Sequence, residues 1–213
     1  MPLVTPIIYI TRHGETTWNM VGRYQGRLES ALSALGLRQG EALAQRFANE
    51  PPDRIISSPL LRCAATARFV AARTNREIET DAALVEIDHG TWEGRYRDEL
   101  AKNDPERFRA WREQPDAVSF EGGESVRDVM ARWQAFRRAL TSAGTTLVVT
   151  HDAVVRCALL DLTGRPLADF WEVPFENAAL AKVEVDGERW RLLEARETSH
   201  LSGLRADVRG QAL

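Results

Sequence analysis

The sequence predicts an α/β domain: a three-layer sandwich whose mostly parallel central sheet is flanked by helices, with a small elaboration over the C-terminal ends of the strands. Short apolar runs alternate with segments of helical periodicity, in the order strand, helix, strand, helix, insertion, helix, strand, helix, hairpin. The main strand-like runs stop abruptly at polar residues, as strands do when a ligand site lies beyond their carboxyl ends. The chain of 213 residues, 44% hydrophobic and 28% charged, is long enough to bury a core without disulfides or a structural metal. It reads as a single domain over 1–213, with 87–123 as a cap-like insertion within it.

The elements follow in chain order. Ile7 to Ile10 is a strand buried on both faces, ended by Thr11-Arg12-His13-Gly14. A loop with Gly14, Gly22 and Gly26 follows. Ser33 is the expected N-cap of a helix carrying Leu35, Leu37, Ala42, Leu43 and Phe47; Gly36 weakens its first turn, and Pro51-Pro52 ends it. Ile55-Ile56 is a second strand closed by Ser57-Ser58, and Pro59 suits the first turn of the next helix. Leu84-Val85 reads as a short strand ending at Glu86. The segment from His89 to Gly123 is the least regular. Glu124 to Leu140 has helical spacing, Thr145 to Thr150 is the best strand signal, and Val154 to Leu162 reads as helix. Ala179 to Val185 and Arg189 to Leu193 form a hairpin turning at Asp186-Gly187, and the polar tail after His200 reads as loose.

Charge and composition narrow the partners. Lys plus Arg is 28 and Asp plus Glu is 31, a formal net charge of -3, which gives no support for a general nucleic-acid surface. No apolar stretch approaches the roughly 20 residues that span a bilayer. MPLVTPIIYI lacks a basic leader and reads as a first core strand rather than a signal peptide. The two cysteines, Cys63 and Cys157, make neither a disulfide framework nor a metal-type pair, so a reducing, cytoplasmic setting is expected. Lys102 and Lys182 are the only lysines, so arginine is abundant and position must decide which arginines bind a ligand.

Arg12-His13, Ser57-Ser58, Glu86 and His151 all fall at predicted strand ends, so four distant segments can converge on one site. A neutral imidazole attacks an electrophile through one ring nitrogen while a backbone carbonyl holds the proton on the other. A second imidazole can donate to the transferred group, arginines can hold phosphoryl oxygens, and a buried carboxylic acid can protonate a leaving oxygen. Plainer readings stand beside these. A strand-end histidine can be merely hydrogen-bonded, Arg62 can be a helix-surface arginine, and Glu86 can cap a helix. His13, His151 and Glu86 also have the composition of a 2-His-1-carboxylate metal site, although Arg12 would set a fixed positive charge beside the cation.

The string Arg12-His13-Gly14-Glu15-Thr16-Thr17-Trp18-Asn19 resembles the signature of the histidine phosphatase superfamily, the phosphoglycerate-mutase-like proteins. Later segments agree in order: Leu32 to Gly36, Ser57-Ser58-Pro59-Leu60-Leu61-Arg62-Cys63-Ala64-Ala65-Thr66-Ala67, Glu86 to Gly94, Gly122 to Ser125, and Val148-Val149-Thr150-His151. The resemblance covers essentially residues 7 to 180. It implies that His13 is a nucleophile forming a phosphohistidine. Arg12, Arg62 and His151 would make the phosphate pocket, touched also by Asn19. Glu86 would donate a proton to the leaving group and then activate water. It implies no metal and no organic cofactor. Many relatives have glycine after the second histidine, where this chain has Asp152; its carboxylate is expected to point away from the pocket and cap the helix beginning near Ala153.

The family contains both phosphatases and mutases, and three departures favour the phosphatase branch. Trp111-Arg112-Glu113 stands where a mutase-like pattern has Trp-Arg-Arg, His89 stands near the expected mutase tyrosine, and Gln25-Gly26 replaces a first-loop Gly-Trp. The expected activity is metal-independent hydrolysis of a small acidic or sugar phosphate. The alternatives are a 2,3-bisphosphoglycerate-dependent phosphoglycerate mutase and a non-catalytic module that binds phosphate or phosphoproteins. Arg23, Gln25, His89, Arg95, Arg97 and Arg112 form the expected substrate rim. The expected partner is a small-molecule phosphomonoester, with no nucleic acid and no membrane, and a homodimer is the assembly to test.

Overall fold

The computed structural model describes residues 5–141, 143–206 and 211–212. Six strands form one sheet: β1 (Ile7–Arg12), β2 (Arg54–Ser57), β3 (Ile78–Thr80), β4 (Thr145–Thr150), β5 (Leu180–Asp186) and β6 (Arg189–Glu197). Their order is β3-β2-β4-β1-β5-β6. The first four in that order run parallel, while β5 and β6 are antiparallel additions beside β1. The sheet is therefore mostly parallel, as the alternation of apolar runs and helical periods predicts.

Alternation along the strands divides the core into two layers. Ile8, Ile10, Ile56 and Val148 face one side, which is covered by α6 (Val126–Ala139) and α7 (Asp152–Thr163). Tyr9, Ile55, Leu147 and Val149 face the other, covered by α2 (Ala34–Arg46) and α3 (Leu61–Thr74). A one-turn helix, α1 (Thr17–Met20), follows β1. Segment 87–123 carries α4 (Arg97–Asn103) and α5 (Pro105–Glu113), with 3₁₀ turns on either side. Its buried Trp92, Leu100, Trp111 and Phe120 pack into the same apolar cluster as α6 and α7.

Several expected elements change in detail. No strand forms at Leu84-Val85: Asp81 accepts from the Ala83 amide and turns Ala82–Leu84 into a 3₁₀ helix, while the strand lies earlier, at β3. Pro59 stands before the N-cap Leu60 rather than in the first turn of α3. Segment 89–123 is more regular than its charges and prolines suggest, because Pro105 opens α5 at a position needing no amide donor. The hairpin register pairs Asp186 with Arg189, which moves the turn to Gly187-Glu188. The tail after His200 is anchored where it is described: Leu201 is buried, and Gln39 donates to the Leu204 carbonyl. Met1 to Val4, residues 207–210 and Leu213 lie outside the described residues.

Ser33 and Ser125 cap α2 and α6 by accepting from the third amide of each helix. At Gly36 the first turn of α2 presses on the loop leaving β1. A Cβ there would overlap the Glu15 carbonyl oxygen, and one on Gly14 would approach the Gly36 carbonyl. The glycine that weakens the helix locally is what lets it touch this loop.

Candidate active site

β1 and β4 are parallel neighbours, with Arg12 in register with Thr150. The next residues, His13 and His151, are therefore side by side, and the His13 amide donates to the Thr150 carbonyl at 2.9 Å. Their rings meet edge to face with centroids 5.2 Å apart. β2 flanks β4 on its other side and brings Ser58, whose Oγ lies 2.8 Å from His151 Nε2. Arg62, one residue into α3, approaches from above β2. Glu86 arrives after the 3₁₀ turn, tied to β4 where Thr150 Oγ1 donates to the Leu84 carbonyl. All five groups are buried.

His13 Nδ1 lies 2.7 Å from the Gly14 carbonyl, which assigns its proton to Nδ1 and leaves a lone pair on Nε2. Burial lowers its pKa well below the usual imidazole value, with Arg62 and Arg12 pushing the same way, so the ring is neutral near pH 7. His151 is likewise lowered, first by burial and then by Arg62. Glu86 has the opposite shift. Burial raises it, Arg62 opposes that, and the charge of Asp152 adds to it. Glu86 Oε1 accepts from the Ile87 and Ala153 amides at 2.9 and 3.2 Å. One buried acid that favours its proton thus faces two imidazoles that shed theirs.

The two arginines are held by backbone carbonyls. Arg62 donates through Nη1 to Leu28 and through Nη2 to Gly26. Arg12 donates through Nη1 to Phe175 at 3.2 Å and to the Asp152 carboxylate at 3.3 Å, and through Nη2 to Gln211 at 2.6 Å. Asn19 accepts from the Thr16 amide and hydroxyl in the capping box that opens α1. Arg12 Nε, Arg62 Nε and Asn19 Nδ2 are nevertheless buried with no acceptor among the described residues. All three residues line one small cavity, together with His13, Gln25, Gly26, Glu86, His89 and Ala212. Three fixed N–H donors beside a neutral nucleophilic nitrogen make a receptor for a group rich in anionic oxygens. Among the described residues, no three His, Cys, Asp or Glu side chains are grouped to hold a metal ion.

The expected rim divides. Gln25 and His89 line the cavity, and His89 sits among Tyr24, Trp111 and Phe120. Arg23, Arg95, Arg97 and Arg112 do not line it. Arg23 lies flat on Trp18 and donates to the Gly94 carbonyl. Arg95, just ahead of α4, pairs with Glu99 in its first turn, Arg97 lies near Asp98, and Arg112 stacks on Trp171. Asp152 meets half of its expectation: it is not among the residues lining the cavity, but it does not cap α7. His151 is the N-cap of α7 and has no side-chain cap, while the Asp152 carboxylate turns inward between Arg12 and Arg156. Two buried guanidiniums nearby outweigh a capping bond at a helix start.

Sequence reasoning missed Asn177, whose Nδ2 donates to the His13 carbonyl, and gave no role to Thr66 of the second matched segment, whose hydroxyl accepts from the Gly14 amide. It also missed Gln211 and Ala212, which return from the far end of the chain to Arg12 and the cavity wall. Glu176-Asn177, a polar pair just before an alternating strand, was a usable signal for Asn177; Gln211 offered none.

Comparison with known proteins agrees with this geometry. Residues 8–198 match the family model for the histidine phosphatase superfamily (branch 1). The chain is 37% identical over 197 residues to Phosphoserine phosphatase 1 of Hydrogenobacter thermophilus, covering 91% of this chain and 93% of that one. It is 31% identical over 206 residues to the Probable phosphoglycerate mutase GpmB of Yersinia pestis, covering 91% and 94%. Among solved structures, Bacillus stearothermophilus YhfR superposes with a TM-score of 0.85 at 30% identity, covering 92% of this chain and 99% of that one. With the paired histidines at the ends of β1 and β4, and the match running through every strand of the sheet, the chain belongs to the histidine phosphatase superfamily.

Proposed function

We propose that this phosphoric monoester hydrolase works through a phosphohistidine on His13 and acts on a small acidic phosphomonoester. The observation that carries the reading is the set of three buried donors, Arg12 Nε, Arg62 Nε and Asn19 Nδ2, that have no acceptor among the described residues and belong to residues lining the cavity with His13. In the first step His13 Nε2 forms a bond to phosphorus as the ester P–O bond breaks. Glu86 gives its proton to the leaving oxygen. In the second step the Glu86 carboxylate takes a proton from water, the water oxygen bonds to phosphorus, and the N–P electron pair returns to Nε2. The arginines and Asn19 stabilise the charge on the transferring oxygens throughout, which is the main catalytic demand of phosphoryl transfer; His151, packed edge to face on His13 with its Nε2 paired to Ser58 Oγ, is not among the residues lining the cavity.

The small cavity and its closing residues, Gln25, His89 and Ala212, favour a compact leaving group. The Hydrogenobacter relative is named a phosphoserine phosphatase, so phosphoserine belongs first in a substrate panel, followed by phosphoglycerates and sugar phosphates. The four arginines engaged elsewhere leave little to grip the second phosphate that a mutase must hold.

The test is to quench the enzyme rapidly with radiolabelled phosphomonoester in the presence of a chelator, then map the acid-labile, base-stable adduct. Label on His13 is expected, and His13→Ala should be folded and unlabelled. Label on another residue, or labelling that needs added zinc, manganese or magnesium, would overturn the reading. Assay of 3-phosphoglycerate with and without 2,3-bisphosphoglycerate separates hydrolysis from isomerisation: phosphate release should exceed any 2-phosphoglycerate formed.

A further inference from the structure

Asp152 is 2% exposed, at the first position of α7. Its Oδ1 lies 3.3 Å from Arg12 Nη1 and its Oδ2 accepts from Arg156 Nε at 2.8 Å. Arg156 is itself immobilised. It donates to the Phe170 and Val173 carbonyls and stacks against the rings of Phe170 and Trp171. The carboxylate thus links a guanidinium that cannot move to one that faces the phosphate cavity. Buried charges are costly unless compensated, and here a two-ended ionic chain and the α7 N-terminus compensate the carboxylate. A charge held this firmly suits a role in the site rather than in helix capping.

We propose that Asp152 is a positioning residue: it braces Arg12 so that Nε faces the phosphoryl group, and its negative charge keeps the Glu86 carboxyl in its proton-donating form. The first half follows from geometry. With Nη1 tied to Asp152 and Phe175 and Nη2 tied to Gln211, rotation of the guanidinium would break three contacts. The second half follows from placement. Glu86 accepts from the amide of Ala153, the residue after Asp152, so both carboxylates sit at the first turn of α7. The other groups facing Glu86 are Arg12 from β1 and Arg62 from α3, which favour its ionised form, and the neutral His13 and His151. Cys63 and Cys157 nearby are un-ionised thiols whose pKa burial raises, and Arg132 on α6 is engaged by Glu124. Asp152 is therefore the negative charge that opposes the two arginines.

The inference rests on the phosphohistidine reading, and its test keeps the two apart. Asp152→Asn keeps the volume and removes the charge. Hydrolysis of an alkyl phosphate should then lose its alkaline limb at a pH lower by on the order of one unit, because Glu86 ionises earlier. KM for the same ester should rise about tenfold as Arg12 loses a charged partner. Arg156→Gln should move the alkaline limb the other way, to higher pH, because it removes positive charge and leaves Asp152 less compensated. A merely structural role gives no such opposed pair, and p-nitrophenyl phosphate, which needs no acid, should show neither shift. Each folded variant decides by its own sign: an unmoved or oppositely moved limb overturns the proposal. Normal His13 labelling in the variants then leaves the phosphohistidine reading standing, whereas failure of labelling in the unmodified enzyme would refute that reading itself.

Discussion

At the scale of single residues, the site divides its labour by environment. His13, His151 and Glu86 are all buried, and burial removes charge from each, so the same physical effect yields a free base on the imidazoles and a retained proton on the acid. Glu86→Gln cannot give a proton. It should therefore slow hydrolysis of an alkyl phosphate by about 10²–10⁴-fold and that of p-nitrophenyl phosphate far less. Steady-state rates on the two esters check this, and equal losses would assign Glu86 to binding or to water activation instead. The residues at this scale were unevenly legible. Arg12, His13, Arg62 and His151 stood out because each lies at a strand end or a helix start inside a recognisable string, and Glu86 stood out by its string alone, since a 3₁₀ turn rather than a strand precedes it. Asp152 was rightly kept out of the cavity lining but wrongly given a capping role, since Arg156 lies a turn further along the helix and no local pattern announces a pair of buried guanidiniums. Arg23, Arg95 and Arg112 illustrate the reverse error: in a chain with so many arginines, stacking on Trp18 or Trp171 and pairing with Glu99 absorb charges that sequence alone leaves available.

At the scale of elements, the site depends on how α2 meets the loop after β1. Alanine in place of glycine inside a helix ordinarily gains about 1 kcal/mol of propensity. At Gly36 the added Cβ would overlap the carbonyl oxygen of Glu15, which is backbone and cannot swing aside. Overpacking of this kind costs about 1–3 kcal/mol, so Gly36→Ala should lower the melting temperature despite its better helix propensity. Its turnover should fall as well, because Glu15 is two residues from the His13 nucleophile. Thermal unfolding together with kcat measures both, and a stabilised, fully active variant would contradict the close approach. The strands were readable because runs such as Ile7 to Ile10 and Thr145 to Thr150 have no other compatible structure. β3 was not: its three residues, Ile78-Glu79-Thr80, are too few and too polar to declare a strand, and their pairing with β2 makes them one. The helices of the insertion escaped for a similar reason, since Trp92 and Trp111 are buried by contacts distant in the chain rather than by a periodic face.

At the scale of the whole molecule, the buried titratable groups tie stability to pH. His13, His151 and His200 have folded-state pKa values lowered chiefly by burial, so the unfolded chain binds more protons than the folded one as pH falls below about 6.5. Their contribution is complete above that pH and is lost as pH drops toward the lowered values. Glu86, with its pKa raised, works in the opposite sense: its contribution is present below about 4.5 and is lost as pH rises through the folded value. Glu93, raised chiefly by burial, acts with Glu86; the three imidazoles outnumber these two carboxyls, so the melting temperature should fall between pH 6.5 and 5.5. The fall should be shallower in His13→Asn and steeper in Glu86→Gln, and calorimetry of the three proteins would expose any other order. Among the described residues, the donors on Arg12, Arg62 and Asn19 have no acceptor, and the fold itself sets them in place. Contacts set in place before the ester arrives serve the free dianion equally well, so the enzyme is braked by what it makes. Progress curves should bend well before the ester is exhausted, and inorganic phosphate added at the outset should raise the apparent KM while kcat stays unchanged.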